Sequence, residues 1–251
     1  MRFGCLCTPD ELTDLAEAGY DFGESGIEVL YPTLDEDGFR RAREVLRAEP
    51  LYPEVVRVPD LLQQAMTADR AGHVADALDL RTLFRRAATV GAKVIVVLAP
   101  GHDALRRFNG QAKAWREAAE ASGLLGEQAA RSGLSVAIAP GAQPGGLAAS
   151  LDEAWMLAEE VGHPAVGVAA DVGTIDDWAD MAAAGPALKH VHLPLPHRFG
   201  GSFDTERWFE ALHALREFGY PGRLSVAAEW PSFAGRAPEL VEELRAAVGR
   251  S

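Results

Sequence analysis

The chain has 251 residues, and no run within it approaches the roughly 20 consecutive apolar residues that a membrane-spanning helix needs. Its formal net charge of −13 argues against nucleic acid as a partner, because binding a phosphate backbone needs a basic face. The N-terminal apolar stretch is too short for a signal peptide, so a cytoplasmic location is expected.

Short apolar runs alternate with longer amphipathic stretches along the chain. Strands are predicted at 2–7, 21–30, 54–58, 92–100, 134–139, 165–170, 188–193 and 223–228. Helices are predicted to follow them, from Thr8 to Gly19 and at 35–48, 70–90, 112–131, 151–161, 176–184, 204–218 and 237–248. The run AKVIVVLAP at 92–100 is typical of a strand that is buried on both faces in a parallel sheet. Thr8 and Ser150 each begin a capping-box pattern that marks a helix start.

Eight strand–helix units in a chain of this length favour a closed (β/α)8 barrel over an open doubly wound sheet. We expect a single TIM-barrel domain that covers residues 1–251. The usual glycine-rich nucleotide signatures are missing: no Gly-x-Gly-x-x-Gly follows the first strand, and no Gly-Lys-Ser/Thr occurs. In such barrels the catalytic residues lie at the C-terminal ends of the strands, so the candidate site residues are expected there.

Several strand ends carry motifs that are fairly specific when taken together. The motifs are EAGYDFGESGIE (17–28), VGAKVIVVLAPG (90–101), SGLSVAIAP (132–140), PAVGVAADVGT (164–174), LKHVHLP (188–194) and FGYPGRLSVAAEW (218–230). With them the sequence resembles the sugar phosphate isomerase/epimerase family, the xylose-isomerase-like TIM barrels, over most of its length. The resemblance implies proton transfer between adjacent carbons of a sugar or keto-sugar. It also implies one bound divalent metal ion, commonly manganese, magnesium, cobalt or zinc.

The family's metal ligands are a strand-five Glu, a strand-six Asp, a strand-seven His and a strand-eight Glu. Asp171 and His192 match two of them, but Ala139 and Ala227 stand where the two glutamates would be. Because those glutamates also act as the family's acid and base, their loss disfavours the metal-assisted mechanism, and no cofactor is favoured. If a metal ion is bound, Asp171, His192 and Glu229 are its predicted ligands.

Four residues are predicted to carry acid–base chemistry. His192 and Asp171 would form a histidine–carboxylate pair, and Glu229 or His102 would be the second proton-transfer group. Glu229 lies two residues beyond Ala227, so on a continuing strand it would face the same side, about 6.6 Å further toward the barrel mouth. Three alternatives stay open: Asp171 as a salt-bridge partner or helix cap at the barrel rim, Glu229 as a solvent-facing residue beyond the strand, and His102 as an ordinary exposed loop histidine.

Four further residues are predicted to bind substrate. Arg198, in the loop after strand seven, would hold an anionic group. Glu24 matches the family's strand-two acid, and Trp230 would form a pocket wall. His190 lies deeper than His192, and its alternative is a core histidine bonded to the backbone.

The sequence therefore predicts a divergent enzyme resembling sugar isomerases and epimerases, without the family's usual metal. Its chemistry would be isomerisation, epimerisation, dehydration or cyclisation of a small carbonyl or sugar-like metabolite. The alternative is a non-catalytic barrel that binds a sugar-like ligand or serves as a scaffold. The expected partner is a small molecule, with no nucleic acid and no membrane, and a homodimer is left open.

Overall fold

Strands and helices alternate through the part of the chain that the computed structural model describes: residues 1–67, 79–141, 145–175, 177–194, 205–232 and 234–249. The strands are β1 (Arg2–Leu6), β2 (Phe22–Gly26), β3 (Pro53–Arg57), β4 (Val94–Leu98), β5 (Ser135–Ala139), β6 (Val166–Asp171), β7 (Leu188–Leu193) and β8 (Arg223–Val226). The helices are α1 (Leu12–Glu17), α2 (Glu36–Leu46), α3 (Leu61–Thr67), α4 (Leu80–Val90), α5 (His102–Arg107), α6 (Gln111–Arg131), α7 (Leu151–Val161), α8 (Trp178–Ala183), α9 (Thr205–Glu217) and α10 (Ala237–Gly249).

The eight strands form a closed barrel. They pair in chain order, and β1 pairs with β8 to complete the ring. All the pairings are parallel. The predicted (β/α)8 fold is therefore confirmed. Within the described ranges, no helix combines the length and the apolar character that crossing a bilayer requires.

Local capping explains where two of the helices begin. Helix α7 starts directly after Ser150, whose hydroxyl accepts a hydrogen bond from the Glu153 backbone N–H at 3.1 Å. The Glu153 carboxylate in turn accepts from the Ser150 N–H at 3.2 Å, which completes the predicted capping box. At the first helix, Glu11 accepts from the Thr8 N–H at 2.7 Å. A 3-10 turn comes first there, and α1 begins at Leu12, one turn later than predicted.

Several strands are shorter than predicted, among them the second and the eighth. The second was expected to run to residue 30 but ends at Gly26, where a 3-10 helix, Ile27–Leu30, takes over. The eighth was expected to reach residue 228 but ends at Val226. Both early ends lie at the C-terminal face of the barrel, where backbone that leaves the sheet can shape a site.

Helix α4 fixes the connection that follows β2. A helix was predicted over 70–90, and its described part begins after Asp79, whose side chain caps it. Arg86 of α4 is buried and donates to the carbonyl oxygens of Leu30 at 3.1 Å and Tyr31 at 2.7 Å. These bonds hold the backbone after β2 against the barrel wall.

The lumen of the barrel has an apolar side and a polar side. Its buried apolar side chains are Phe22, Val55, Val94, Val96, Ala137, Ala139 and Ala169, which come mainly from β3 to β6. The polar side chains come from β2, β3, β7 and β8 and are Glu24, Arg57, His190, His192 and Ser225. The strand order places these polar groups together, because β7, β8, β1, β2 and β3 are consecutive around the ring.

An ion-pair network joins three strands at the N-terminal end of the barrel. The Glu54 carboxylate pairs with Arg2 and lies 2.6 Å from Arg223 Nε. Only 8% of Glu54 is exposed, and all three residues lie at or near strand starts. Active sites of this fold lie at the opposite, C-terminal end, so this network is expected to stabilise the barrel.

Candidate active site

Glu24 is a buried carboxylate in the middle of β2 and is only 1% exposed. Both of its oxygens are engaged: Oε2 lies 2.9 Å from His190 Nε2, and Oε1 lies 2.9 Å from His192 Nε2. An ionised carboxylate only accepts hydrogen bonds, so each imidazole donates through an Nε2–H. The strand-two acid is thus the centre of a three-residue cluster.

Strand β7 supplies both histidines of this cluster. Residues two apart on a strand project to the same side, and the two rings meet edge to face with centroids 4.6 Å apart. The side chain of His190 is fully buried, whereas that of His192 keeps 8% of its surface exposed. His192 is the histidine that a ligand can reach. With its Nε2 bonded to Glu24, Nδ1 is the nitrogen left for proton transfer.

The cluster is electrostatically biased toward an ionised glutamate. Burial acts to raise the pKa of Glu24, but the charges and hydrogen bonds of His192 and His190 outweigh it and hold that pKa well below the ordinary value. Burial lowers the pKa of His190, although the Glu24 carboxylate opposes this change. The buried Nδ1 of His190 has no hydrogen-bond partner among the described residues, which is tolerable for a neutral ring with only a lone pair there.

Arg57 connects the cluster to a cavity at the barrel mouth. Its Nε lies 3.5 Å from Glu24 Oε1, and a quarter of its side chain is exposed. The cavity has a volume of about 500 Å³. Its lining comes from the ends of β1, β2 and β3 and from the segment after β8: Leu6, Cys7, Thr8, Glu11, Gly26, Ile27, Glu28, Arg57, Pro59, Glu229, Trp230 and Pro231.

Glu229 and Trp230 lie together in the wall of this cavity. Trp230 is 6% exposed and packs edge to face against Tyr20 with ring centroids 6.4 Å apart. The strand geometry expected for Glu229 is wrong, because β8 ends at Val226 and a 3-10 helix begins at Trp230. Glu229 is exposed and lies beyond the strand, yet the turn brings it to the cavity that Arg57 also lines.

The expected His192–Asp171 pair is not formed. Asp171 ends β6 as the register partner of His192, but its Oδ1 accepts a hydrogen bond from the Gly173 N–H at 2.9 Å. Its backbone oxygen accepts from the Thr174 hydroxyl at 3.0 Å. Asp171 therefore caps the short helix that follows it, and the carboxylate bonded to His192 is that of Glu24.

Two predicted residues lie apart from the cluster or outside the description. His102 is exposed and begins α5, with its ring near Gly145. It is not in the lining of the cavity of Arg57 and Glu229. Arg198 lies outside the described residues.

The two alanines lie at the strand ends where the resemblance places glutamates. Ala139 is the last residue of β5, is 7% exposed and belongs to the apolar side of the lumen. Ala227 follows β8 directly, and its N–H donates to the Leu193 carbonyl at 2.9 Å. Neither position offers a donor atom for a metal ion.

A match to a known sequence profile identifies the family of this chain. Residues 12–248 match the sequence profile of the xylose isomerase-like TIM barrel family. The chain belongs to this family. The expected resemblance is thereby confirmed over nearly the whole chain. A search of curated protein sequences finds no match.

Solved structures of the same fold include several sugar epimerases. D-psicose 3-epimerase with D-tagatose from Clostridium cellulolyticum H10 superposes with a TM-score of 0.78 and 14% identity, covering 99% of each chain. The E. coli 3-keto-D-glucoside 4-epimerase YcjR gives 0.73 and 19%, covering 98% of this chain and 99% of its own. The IOLI protein with a bound zinc atom gives 0.70 and 17%, covering 100% and 99%. At these identities the likeness establishes the fold.

The metal site implied by the family resemblance does not fit this chain. Of its four positions, Ala139 and Ala227 carry no ligand atom, and Asp171 uses one carboxylate oxygen as a helix cap. That leaves His192 and the other Asp171 oxygen, which are too few for a typical divalent site. Glu229, the predicted third ligand, lies beyond the end of β8.

A different donor set exists deeper in the lumen. Ligand atoms of Glu24, His190 and His192 all lie within 4.8 Å of one another, and oxygen and imidazole donors suit a zinc-like ion. In this structure the same atoms are hydrogen-bonded to each other, and the Arg57 guanidinium adds a positive charge beside Glu24 Oε1. A metal ion there would have to replace those hydrogen bonds.

Arg57 is the residue that sequence reasoning missed. The acid that follows the third strand, Asp60, lines a separate, smaller cavity together with Asp103. A signal was available: Arg57 has the same parity as Val55 on this strand, and the side chain of Val55 lies in the lumen.

Proposed function

We propose that the protein is an isomerase or epimerase of a small polyhydroxylated carbonyl compound, in which Glu24 and His192 move the proton without the family's divalent metal. One observation carries the proposal: His192 Nε2 is bonded at 2.9 Å to a buried carboxylate, while 8% of the His192 side chain remains exposed. The sugar epimerases among the solved neighbours support the substrate class.

In the proposed reaction, Glu24 keeps the hydrogen on His192 Nε2 and leaves the lone pair on Nδ1. Nδ1 removes the proton from a carbon next to the carbonyl, and the C–H electron pair forms an enediolate. The carboxylate stabilises the imidazolium that results. Returning a proton to the opposite face gives an epimer, and returning it to the adjacent carbon gives an isomer.

The surrounding residues support this assignment. His190 bonds the second oxygen of Glu24 and so holds the carboxylate toward His192. Glu229 lines the mouth cavity and is our candidate for the second proton-transfer group, ahead of His102, which is absent from that lining. Trp230 provides an apolar wall of the kind that sugar rings pack against. Asp171 would shape the rim through its helix cap.

A metal-assisted isomerase is the second candidate. The convergence of Glu24, His190 and His192 favours it, and a divalent ion held there would polarise the substrate carbonyl. The nearby Arg57 guanidinium opposes it, because two cations would then compete for one carboxylate. A non-catalytic barrel is a third reading, and the buried histidine–carboxylate pair beside Arg57, which lines the mouth cavity, argues for catalysis instead.

The proposal is tested by proton exchange with solvent, which detects α-proton removal even where no net product accumulates. The protein is incubated in D₂O with D-fructose, D-tagatose and D-psicose, and loss of C–H signals is followed by proton NMR. We expect exchange for at least one sugar and a fall of about 10²–10⁴-fold in His192→Asn.

The matched control is His213→Asn, because His213 lies exposed on α9 and bonds Glu217 at 3.2 Å. This variant should exchange like the wild type. Absence of exchange with every sugar would contradict the proposal and favour the non-catalytic barrel. Exchange that persists in His192→Asn would remove His192 from the reaction.

A further inference from the structure

The mouth cavity contains one cation among its described lining residues, and this cation is Arg57. Arg57 is the last residue of β3, faces the lumen and pairs in register with Gly26 of β2. The Glu28 carboxylate occupies the space that a side chain at Gly26 would take, so it also lies at this end of β2. An arginine partly exposed at the end of a barrel strand stands where catalytic groups of this fold are found.

Glu24 holds Arg57 and His192 close together. The 3.5 Å distance from Arg57 Nε and the 2.9 Å distance from His192 Nε2 both end at Glu24 Oε1, so the two nitrogens are no more than 6.4 Å apart. Glu24 engages the guanidinium through Nε. The terminal nitrogens Nη1 and Nη2 have no recorded partner among the described residues, and they are the donors that a ligand can use.

The carboxylates of the cavity do not compensate Arg57. Glu11 accepts from the Thr8 N–H at 2.7 Å, and Glu28 accepts from the Gly26 N–H at 2.9 Å, so both serve the backbone. Glu229 lines the other wall. Backbone amides thus hold Glu11 and Glu28, whereas the Arg57 guanidinium is the group of this lining that attracts negative charge, either on a bound carboxylate or on an oxygen that becomes anionic during reaction.

We propose that Arg57 is a catalytic residue that binds the substrate's carbonyl oxygen and stabilises its negative charge as the enediolate forms. This inference rests on the proposed function. As His192 takes the α-proton, the C–H electrons form the C=C bond and the carbonyl π electrons move onto oxygen. Arg57 donates Nη hydrogens to that oxygen, and reprotonation of carbon restores the carbonyl. The guanidinium thus does the work that a Lewis acid would do, for an uncharged sugar substrate.

The binding test measures whether Arg57 binds a negatively charged oxygen, independently of proton removal by His192. Binding of threonate, a four-carbon polyhydroxy carboxylate, and of threitol, its neutral counterpart, is measured by calorimetry in the presence of a chelator. Arg57→Gln should weaken threonate binding by about 10–100-fold and leave threitol binding unchanged. Arg57→Lys should keep part of the threonate affinity, since it retains the charge but loses the planar fork.

The sugar exchange assay gives the kinetic arm. Arg57→Gln should lower kcat by about 10²-fold or more with a smaller change in KM, because the bond strengthens as charge develops. Arg40→Gln, which removes an exposed arginine paired with Asp37 on α2, is the matched control. Thermal unfolding checks that each variant folds, and Arg57→Lys carries the test if Arg57→Gln does not.

The outcomes distinguish this inference from the proposed function. Exchange that is lost in His192→Asn but unchanged in Arg57→Gln overturns the role of Arg57 alone. Threonate that fails to bind, or equal weakening of threonate and threitol, also overturns it. Absence of sugar exchange in the wild type contradicts the proposed function, and the threonate comparison then still decides whether Arg57 binds a negative oxygen.

Discussion

Glu24 of β2 and His192 of β7 meet inside the barrel, with Oε1 2.9 Å from Nε2, although two strands separate their own strands around the ring. The contact joins a fully buried carboxylate to a partly exposed imidazole. It gives the chain a histidine–carboxylate pair where the resemblance to metal-dependent epimerases leads one to expect Asp171 and two glutamates.

Removing the charge of Glu24 is expected to disable His192. In Glu24→Gln the amide no longer stabilises an imidazolium, so sugar exchange should fall by about 10²-fold or more. The free energy of unfolding should also fall, by about 1–3 kcal/mol, because two buried histidines lose a charged acceptor. Exchange kinetics and urea unfolding measure the two effects. Glu217→Gln, on the outer face of α9, should change neither, and wild-type exchange in Glu24→Gln would contradict the mechanism.

Acidification is expected to destabilise the protein in two steps. The folded pKa of His190 lies below its ordinary 6.5, so below that pH the unfolded chain binds a proton that the folded chain does not, and stability falls. The folded pKa of Glu24 lies well below 4.5, so its stabilising contribution is complete above 4.5 and is lost as pH falls toward the folded value.

Urea unfolding at about pH 7.5 and about pH 5 isolates the first step, because Glu24 remains ionised in both states over most of that range. The wild type should lose stability between the two conditions. His190→Gln should be less stable at the higher pH but should lose less on acidification. An equal or larger loss in the variant would show that His190 is not the group responsible.

Glu229→Gln should separate proton removal from product formation. If Glu229 returns the proton, the variant should still exchange the substrate's α-proton with D₂O, while formation of the epimer falls by about 10²-fold. Proton NMR follows exchange and product in one sample. Equal loss of both would place Glu229 at proton removal or binding, and no loss of either would exclude it from the reaction.

Restoring two carboxylates should restore a metal site. In Ala139→Glu/Ala227→Glu the new side chains would join Asp171 and His192 at the four positions implied by the family resemblance. We expect the double variant to retain about one manganese ion per chain after dialysis, since four oxygen and nitrogen donors suit such an ion. Elemental mass spectrometry measures it. Retention no greater than in the wild type would show that the strand ends do not converge on a common point.

The fold and part of the cluster were predictable from the sequence. Alternation of buried runs with amphipathic stretches gives the barrel, and the spacing of His190 and His192 places both rings on one face of β7. The Ser150 capping box gives the start of α7. These signals are local, so they do not depend on how the barrel closes.

The contacts between residues of different strands depend on how the barrel closes and were not predictable from the sequence. The positions of β2 and β7 along the barrel axis determine which carboxylate reaches His192. The spacing of residues along a single strand does not reveal these relative positions. Asp171 is adjacent in register, yet it turns to the Gly173 amide instead. Glu229 fails the parity argument because β8 stops at Val226, after which its backbone follows the rim.

The most direct test of the central claim is sugar exchange in D₂O by protein that has been dialysed against a chelator and shown by elemental mass spectrometry to be free of divalent metal. If Glu24 and His192 move the proton unaided, exchange continues at the undialysed rate and is lost in His192→Asn. Exchange that stops on metal removal and returns with manganese or zinc would contradict the account and assign Glu24, His190 and His192 to a metal ion instead.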